Sequence, residues 1–371
     1  MLHAHRTKIG ASGPARIIGA ALGLPIADPQ PGAAPAPRRV PPTLTRILSL
    51  LIAAMIGLGP TAAGADVAAE LKGAQEALAA GDYETAFREY SRFAEEKNNP
   101  LAQFSLALFY QIGWGRPVDR AAACRWHEKA AEGRIPAAQH FLADCLVEGL
   151  HRPPDPAAAA VWYEKAARNG HVISLCSLAE LYIAGKGVPK DPAEGLALCG
   201  QVAAGDSVPA KIRMGRFHLE GAGDLKDPES AYAWFERAAQ LDSAEGQYYL
   251  GLMNRDGLGR PKAPRLAREW FEFAASRGFA RAYLPTGELY LNGPTDPETG
   301  LLPAHDLAKA YLWLSAAARS ATDPEELAQA AEMLDRIRKV MPETWVPDLD
   351  AKVARHLAEH EAPKTISLGG Q

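Results

Sequence analysis

The stretch SLAELYIAGKGVPKDPAEGLAL, residues 177–198, reads as the end of one helix, a glycine turn and the start of another. Leu178, Leu181 and Tyr182 share one helical face. Gly185 can end that helix because glycine takes the left-handed C′ conformation without a Cβ clash. Asp191 and Pro192 then mark a new start. The carboxylate accepts from orphan backbone N–H groups, and proline at the first position loses no bonded donor. Gly185 also belongs to a series, Gly113, Gly149, Gly185, Gly221, Gly257 and Gly293, spaced 36 residues apart. A fixed period of this size means stacked copies of one small unit.

Other positions keep the same period. Six residues before each glycine stands Ala107, Ala143, Ala179, Gly215, Gly251 or Gly287. Trp126, Trp162, Trp234 and Trp270 share a slot in which the third copy has Leu198. This slot is expected to be buried. Ala123, Ala159, Gly195, Ala231 and Ala267 precede it by three residues and would let helices approach closely. No strand-like alternation occurs, so the expected fold is all-α, a right-handed α/α solenoid of helix-turn-helix repeats.

Together with AAVWYEKAARNG at 159–170, the quoted stretch resembles the SEL-one-like repeat family, relatives of the tetratricopeptide repeats. The resemblance covers six copies over 99–320, the sixth lengthened so that its tryptophan falls at Trp313. It implies an interaction scaffold or adaptor and no chemistry of its own. A more tetratricopeptide-like unit, GDYETAFREYSRFAEE, lies within 66–98. Residues 321–360 are expected to form a helical cap, and 361–371 a disordered tail.

Residues 1–65 read as leader and signal peptide. Arg38, Arg39 and Arg46 precede an apolar run from Ile47 to Leu58, and Ala63-Gly64-Ala65 supplies the small-residue cleavage site. Cleavage after Ala65 would deliver a periplasmic or secreted chain. The depth of this signal suggests initiation near Val40 instead of Met1. Six of the 40 basic and one of the 44 acidic residues lie in the leader, so the mature chain carries 34 against 43, a net charge of −9. An acidic chain without basic runs argues against a nucleic-acid partner. No cofactor, small-molecule ligand or stable membrane anchor is expected.

Cys124 and Cys145 lie nine residues either side of a turn, at one level of an antiparallel helix pair, and Cys176 and Cys199 flank the next turn similarly. Each pair is a candidate disulfide; the alternative is four reduced core residues. The cysteine-rich branch of the resembled family, to which β-lactamase activity has been attributed, spaces its pairs differently. Here Ala167 occupies the partner position for Cys176. There is no S-x-x-K for a serine-type site. His356, Glu359 and His360 match H-x-x-E-H, a zinc-enzyme pattern, but sit beside the chain end and read as a solvated helix terminus. No catalytic or metal site is assigned; a periplasmic hydrolase, β-lactamase-like or zinc-dependent, is the competing class.

In stacked helix pairs the first helix of each unit lines the concave surface. A helical wheel places Leu108, Phe141, Asp144, Glu148, Glu180, Arg213, Arg216, Glu220, Tyr249, Leu252, Asp256 and Glu288 on the face opposite the core stripe. These predict an acidic groove with exposed apolar anchors at Leu108, Phe141, Tyr249 and Leu252. Such a groove would bind a basic and hydrophobic segment of another protein, presumed from the signal to be an envelope protein. Glycan recognition on the aromatic residues is disfavoured by the expected burial of the tryptophans.

Overall fold

A computed structural model describes residues 70–221 and 225–360. Residues 1–69 and 361–371, which include the leader and tail, lie outside the described residues. The described residues form sixteen α-helices and no strand. They divide into two compact units, one running to Val202 and the other starting at Ala203.

The first unit begins with α1 (Lys72–Ala79) and α2 (Tyr83–Glu96). Repeats follow as α3 (Pro100–Ile112) with α4 (Arg120–Glu132), α5 (Pro136–Glu148) with α6 (Pro156–Arg168), and α7 (Ser174–Ala184) with α8 (Pro192–Ala203). In the second unit α9 (Val208–Glu220) pairs with α10 (Pro228–Gln240), α11 (Ala244–Asp256) with α12 (Pro264–Ser276), and α13 (Tyr283–Leu291) with α14 (Ala304–Ser320). It closes with α15 (Pro324–Arg338) and α16 (Val346–His360), where Trp345, Val346 and Leu357 pack on the core.

Two devices recur at the turns within the repeats. Asp119, Asp155, Asp191 and Asp227 each accept from the backbone N–H three residues on, at 2.8–3.0 Å, and so start the second helix. The backbone N–H of the same residue donates to a carbonyl nine residues back, as in Asp119 to Tyr110 (2.9 Å) and Asp155 to Leu146 (2.8 Å). Ala263 keeps the second device (2.8 Å to Asn254) without the first. Gly113, Gly149, Gly185 and Gly257 take positive φ as their helices end. Gly221 does not: its φ is −61°, in extended backbone. Gly293 is also outside the left-handed region, because α13 stops at Leu291 and Asn292 is its C-cap.

The expected burial of the tryptophans needs correction. Trp126, Trp162, Trp234 and Trp270 are only partly buried. In three copies a cation three residues on lies over the ring: Lys129 at 4.2 Å, Lys165 at 4.1 Å and Arg237 at 4.6 Å. One helical step, about 100°, turns the following residue fully inward. His127, Tyr163, Cys199, Phe235 and Phe271 occupy that slot and are at most 2% exposed.

Candidate functional site

The first helices are more enclosed than an amphipathic wheel implies. Every residue of α5 from Pro136 to Leu146 is buried, as are Leu101 to Ala107 of α3 and Gly246 to Gly251 of α11. Each helix is packed against the second helix of its own repeat and that of the preceding one, and side chains of successive first helices also meet. Phe104 of α3 stacks on Phe141 of α5 with ring centroids 6.2 Å apart. Polar side chains on this inner face, such as Gln103 and Gln139, bond within the protein.

Several residues assigned to an open groove are consequently corrected. Phe141 is 8% exposed and Tyr249 6%, the latter stacked on Phe235 at 4.3 Å; neither is an exposed anchor. Leu108 and Leu252 are partly buried against their cores. Asp144, 7% exposed, accepts a 2.5 Å hydrogen bond from the Tyr163 hydroxyl. Arg213 is buried at 6%.

The remaining residues cluster toward the C-terminal halves of their helices. In the first unit Glu148 pairs with Arg120 at 2.5 Å, and burial raises its carboxyl above the usual range against the pull of that arginine. Glu180 is partly buried. In the second unit Glu220 is exposed and binds Arg216 through two contacts of 3.1 and 3.2 Å. Burial opposes the Arg216 charge, but Glu220, Tyr249 and Glu245 outweigh it and hold the guanidinium above its ordinary pKa. Asp256 is exposed, and its hydrogen bonds from Arg255 hold it below the usual carboxylate range. Glu288 is partly buried. Paired acids in both units make these surfaces mixed in sign, not simply acidic.

A polar network that the sequence did not reveal lies in the first unit. Ser174 Oγ is 3.0 Å from His140 Nδ1 and 2.8 Å from His171 Nδ1, and His140 Nε2 is 3.6 Å from Asp144. Serine, imidazole and carboxylate adjoin in that order, but Ser174 has no solvent exposure, and a substrate has no path to its hydroxyl. The network belongs to the packing of α5 and α7.

The H-x-x-E-H helix is docked, not simply solvated. His356 Nε2 lies 3.1 Å from the Tyr283 hydroxyl, and its ring meets Trp313 edge-on at 5.2 Å. His360 Nδ1 lies 2.9 Å from the His356 carbonyl, so both imidazoles have partners within the protein. Cys124 is bonded to Cys145 and Cys176 to Cys199, with Cα–Cα distances of 5.8 and 4.2 Å. Each bond joins consecutive antiparallel helices. No helix among the described residues is long and apolar enough to cross a membrane.

Comparison with known proteins gives the same repeat boundaries. The Sel1 repeat model matches residues 100–134, 136–171, 172–205, 208–243, 244–279 and 281–321. A solved protective antigen present in uropathogenic Escherichia coli strains, displaying an SLR fold, is 23% identical with a TM-score of 0.54. That match covers 76% of this chain and 57% of the antigen, so the chain spans little more than half of the antigen's length. A Sel1 repeat protein from Oxalobacter formigenes is 24% identical with a TM-score of 0.51, covering 72% of this chain and 99% of its own. These likenesses speak for the fold. No curated protein matches the chain. With six matched repeats over more than half of its length, the chain belongs to the Sel1 repeat family.

Proposed function

We propose that this protein is a non-enzymatic interaction scaffold or regulator that is exported to the cell envelope and there holds a segment of another protein. Sel1 repeat proteins are typically protein-interaction scaffolds. The observation that carries the reading is the placement of charge. Buried first helices end in partly or fully exposed charged residues, Glu148 and Glu180 in one unit and Arg216, Glu220, Asp256 and Glu288 in the other. Such rims orient and select a partner more than they add affinity, while Leu108 and Leu252 offer apolar edges beside them. The partner segment would carry basic and hydrophobic residues toward Glu148 and Glu180. Envelope placement rests on the signal-like leader.

The test is affinity capture from envelope extract with the exported chain, beside a Glu180→Lys/Glu220→Lys variant. A partner retained by the first and lost by the second, with N-terminal sequencing starting at Asp66, supports the reading. A partner held equally by both removes the charged rims. Recovery of uncleaved chain from the cytoplasm alone removes the envelope role.

A further inference from the structure

Three metal-ligand side chains meet at the second repeat. Cys124 of α4 and Cys145 of α5 face each other across the antiparallel pair, and His151 lies in the turn after α5. One histidine ring nitrogen and the two sulfurs all lie within 4.8 Å of one another. The His151 side chain is only 5% exposed, yet neither ring nitrogen makes a hydrogen bond. Glu128 Oε2 sits 3.4 Å from Nε2 without hydrogen-bond alignment. Glu128 is thus the charged neighbour of an imidazole whose ring nitrogens are shielded from water and make no aligned hydrogen bond.

The period supplies a second observation. Two residues past the turn glycine four repeats carry Gly115, Gly187, Gly223 and Gly259; the sixth has Thr295 and the second has His151. The other cysteine pair, Cys176 and Cys199, thus has Gly187 where the first pair has His151. A bulky imidazole thus stands in a turn slot that is glycine in four repeats, beside a cysteine pair.

We infer that Cys124, Cys145 and His151 form a redox-gated zinc site, closed by the disulfide and opened by its reduction. An external dithiol supplies two electrons and two protons to the disulfide and leaves as its own disulfide. The S–S bond breaks and two thiols form. Zn²⁺ then forms two S–Zn bonds and one N–Zn bond, and the two thiol protons pass to water. The sulfurs separate to roughly 3.7 Å, the spacing that tetrahedral Zn–S bonds require. Two thiolates and one imidazole suit zinc in softness and geometry. Glu128, 3.4 Å from Nε2, would need only a small rotation to accept from a ring N–H and orient the imidazole toward the metal, the role a carboxylate plays behind a zinc-bound histidine. Glu128 also pairs with Arg152 at 3.0 Å, which fixes the carboxylate. The helices α4 and α5 stay cross-linked in either state, by sulfur or by metal.

The test uses the full chain reduced anaerobically with a phosphine, titrated with Co²⁺ as spectroscopic probe and with Zn²⁺ against a chromophoric chelator. Circular dichroism is recorded throughout. The expected result is one metal equivalent in the reduced chain, with sulfur-to-cobalt charge-transfer absorption, and none in the oxidised chain. His151→Gln should weaken binding about tenfold or more. Cys124→Ser/Cys145→Ser should abolish it, and Cys176→Ser/Cys199→Ser should leave it. The inference is overturned by a reduced chain that shows no charge-transfer band, or by undiminished affinity in His151→Gln, a variant that leaves both sulfurs in place. A reduced chain that loses helix and does not regain it with Zn²⁺ overturns it as well.

Discussion

Gly251 of α11 packs so close to the ring of Phe271 in α12 that a Cβ on the glycine would lie 2.5 Å from Cδ1. Gly215 stands in the same relation to Phe235, at 2.5 Å from Cε1. The periodic small residue and the fully buried residue after the tryptophan slot are thus two halves of one contact.

Gly251→Ala should therefore destabilise the second unit. Helix propensity favours alanine by about 1 kcal/mol. Overpacking against a ring with no exposure costs about 1–3 kcal/mol and should win. Adding Phe271→Leu should recover part of the loss. Urea melts of the single and double variants measure the coupling; strictly additive losses would refute the contact.

Ala263 offers the reverse change. Its backbone angles, −138° and 76°, match those of Asp155 at −135° and 78°, yet no side chain caps α12. Ala263→Asp should stabilise the chain by about 0.5–1 kcal/mol, read as a higher urea midpoint.

His127 should govern part of the acid limb. Burial, reinforced by His140, lowers its pKa to about 3, and Gln111 Oε1 sits 3.0 Å from Nε2. Above the unfolded value near 6.5 both states are neutral and this group has no effect. As pH falls below 6.5 the unfolded chain takes up the proton first, so stability drops by about 1.4 kcal/mol per pH unit until about pH 3. His127→Phe places in this slot the residue found at Phe235 and Phe271, and should flatten that limb. Denaturation midpoints of both proteins at pH 7 and pH 4.5 give the comparison.

Asp144 should behave as a packing residue. Asp144→Ala removes the acceptor of the buried Tyr163 hydroxyl and should cost on the order of 2 kcal/mol. Thermal melting checks this. Weakened partner capture with unchanged stability would return Asp144 to the binding surface.

The repeat, its helix limits and its caps were legible in the sequence because each depends on a few neighbouring residues. Asp155 caps α6 through an N–H three residues away, and Gly149 needs only its own positive φ. Gly221 shows the limit of that reasoning: the same residue in the same slot takes extended backbone.

The tertiary structure decided what each side chain faces. A wheel drawn on α5 leaves Phe141 and Asp144 outward, but Phe104 of the preceding first helix and Tyr163 of the paired α6 pack onto them. The tryptophan slot was displaced by one residue for a similar reason, since small rotations of a helix exchange a half-covered position for a buried one. The meeting of Cys124, Cys145 and His151 is likewise tertiary. The cysteines are 21 positions apart, and the histidine joins them only because the chain turns back after Gly149. Local chemistry in the sequence built the repeat, while burial and convergence came from winding one repeat against the next.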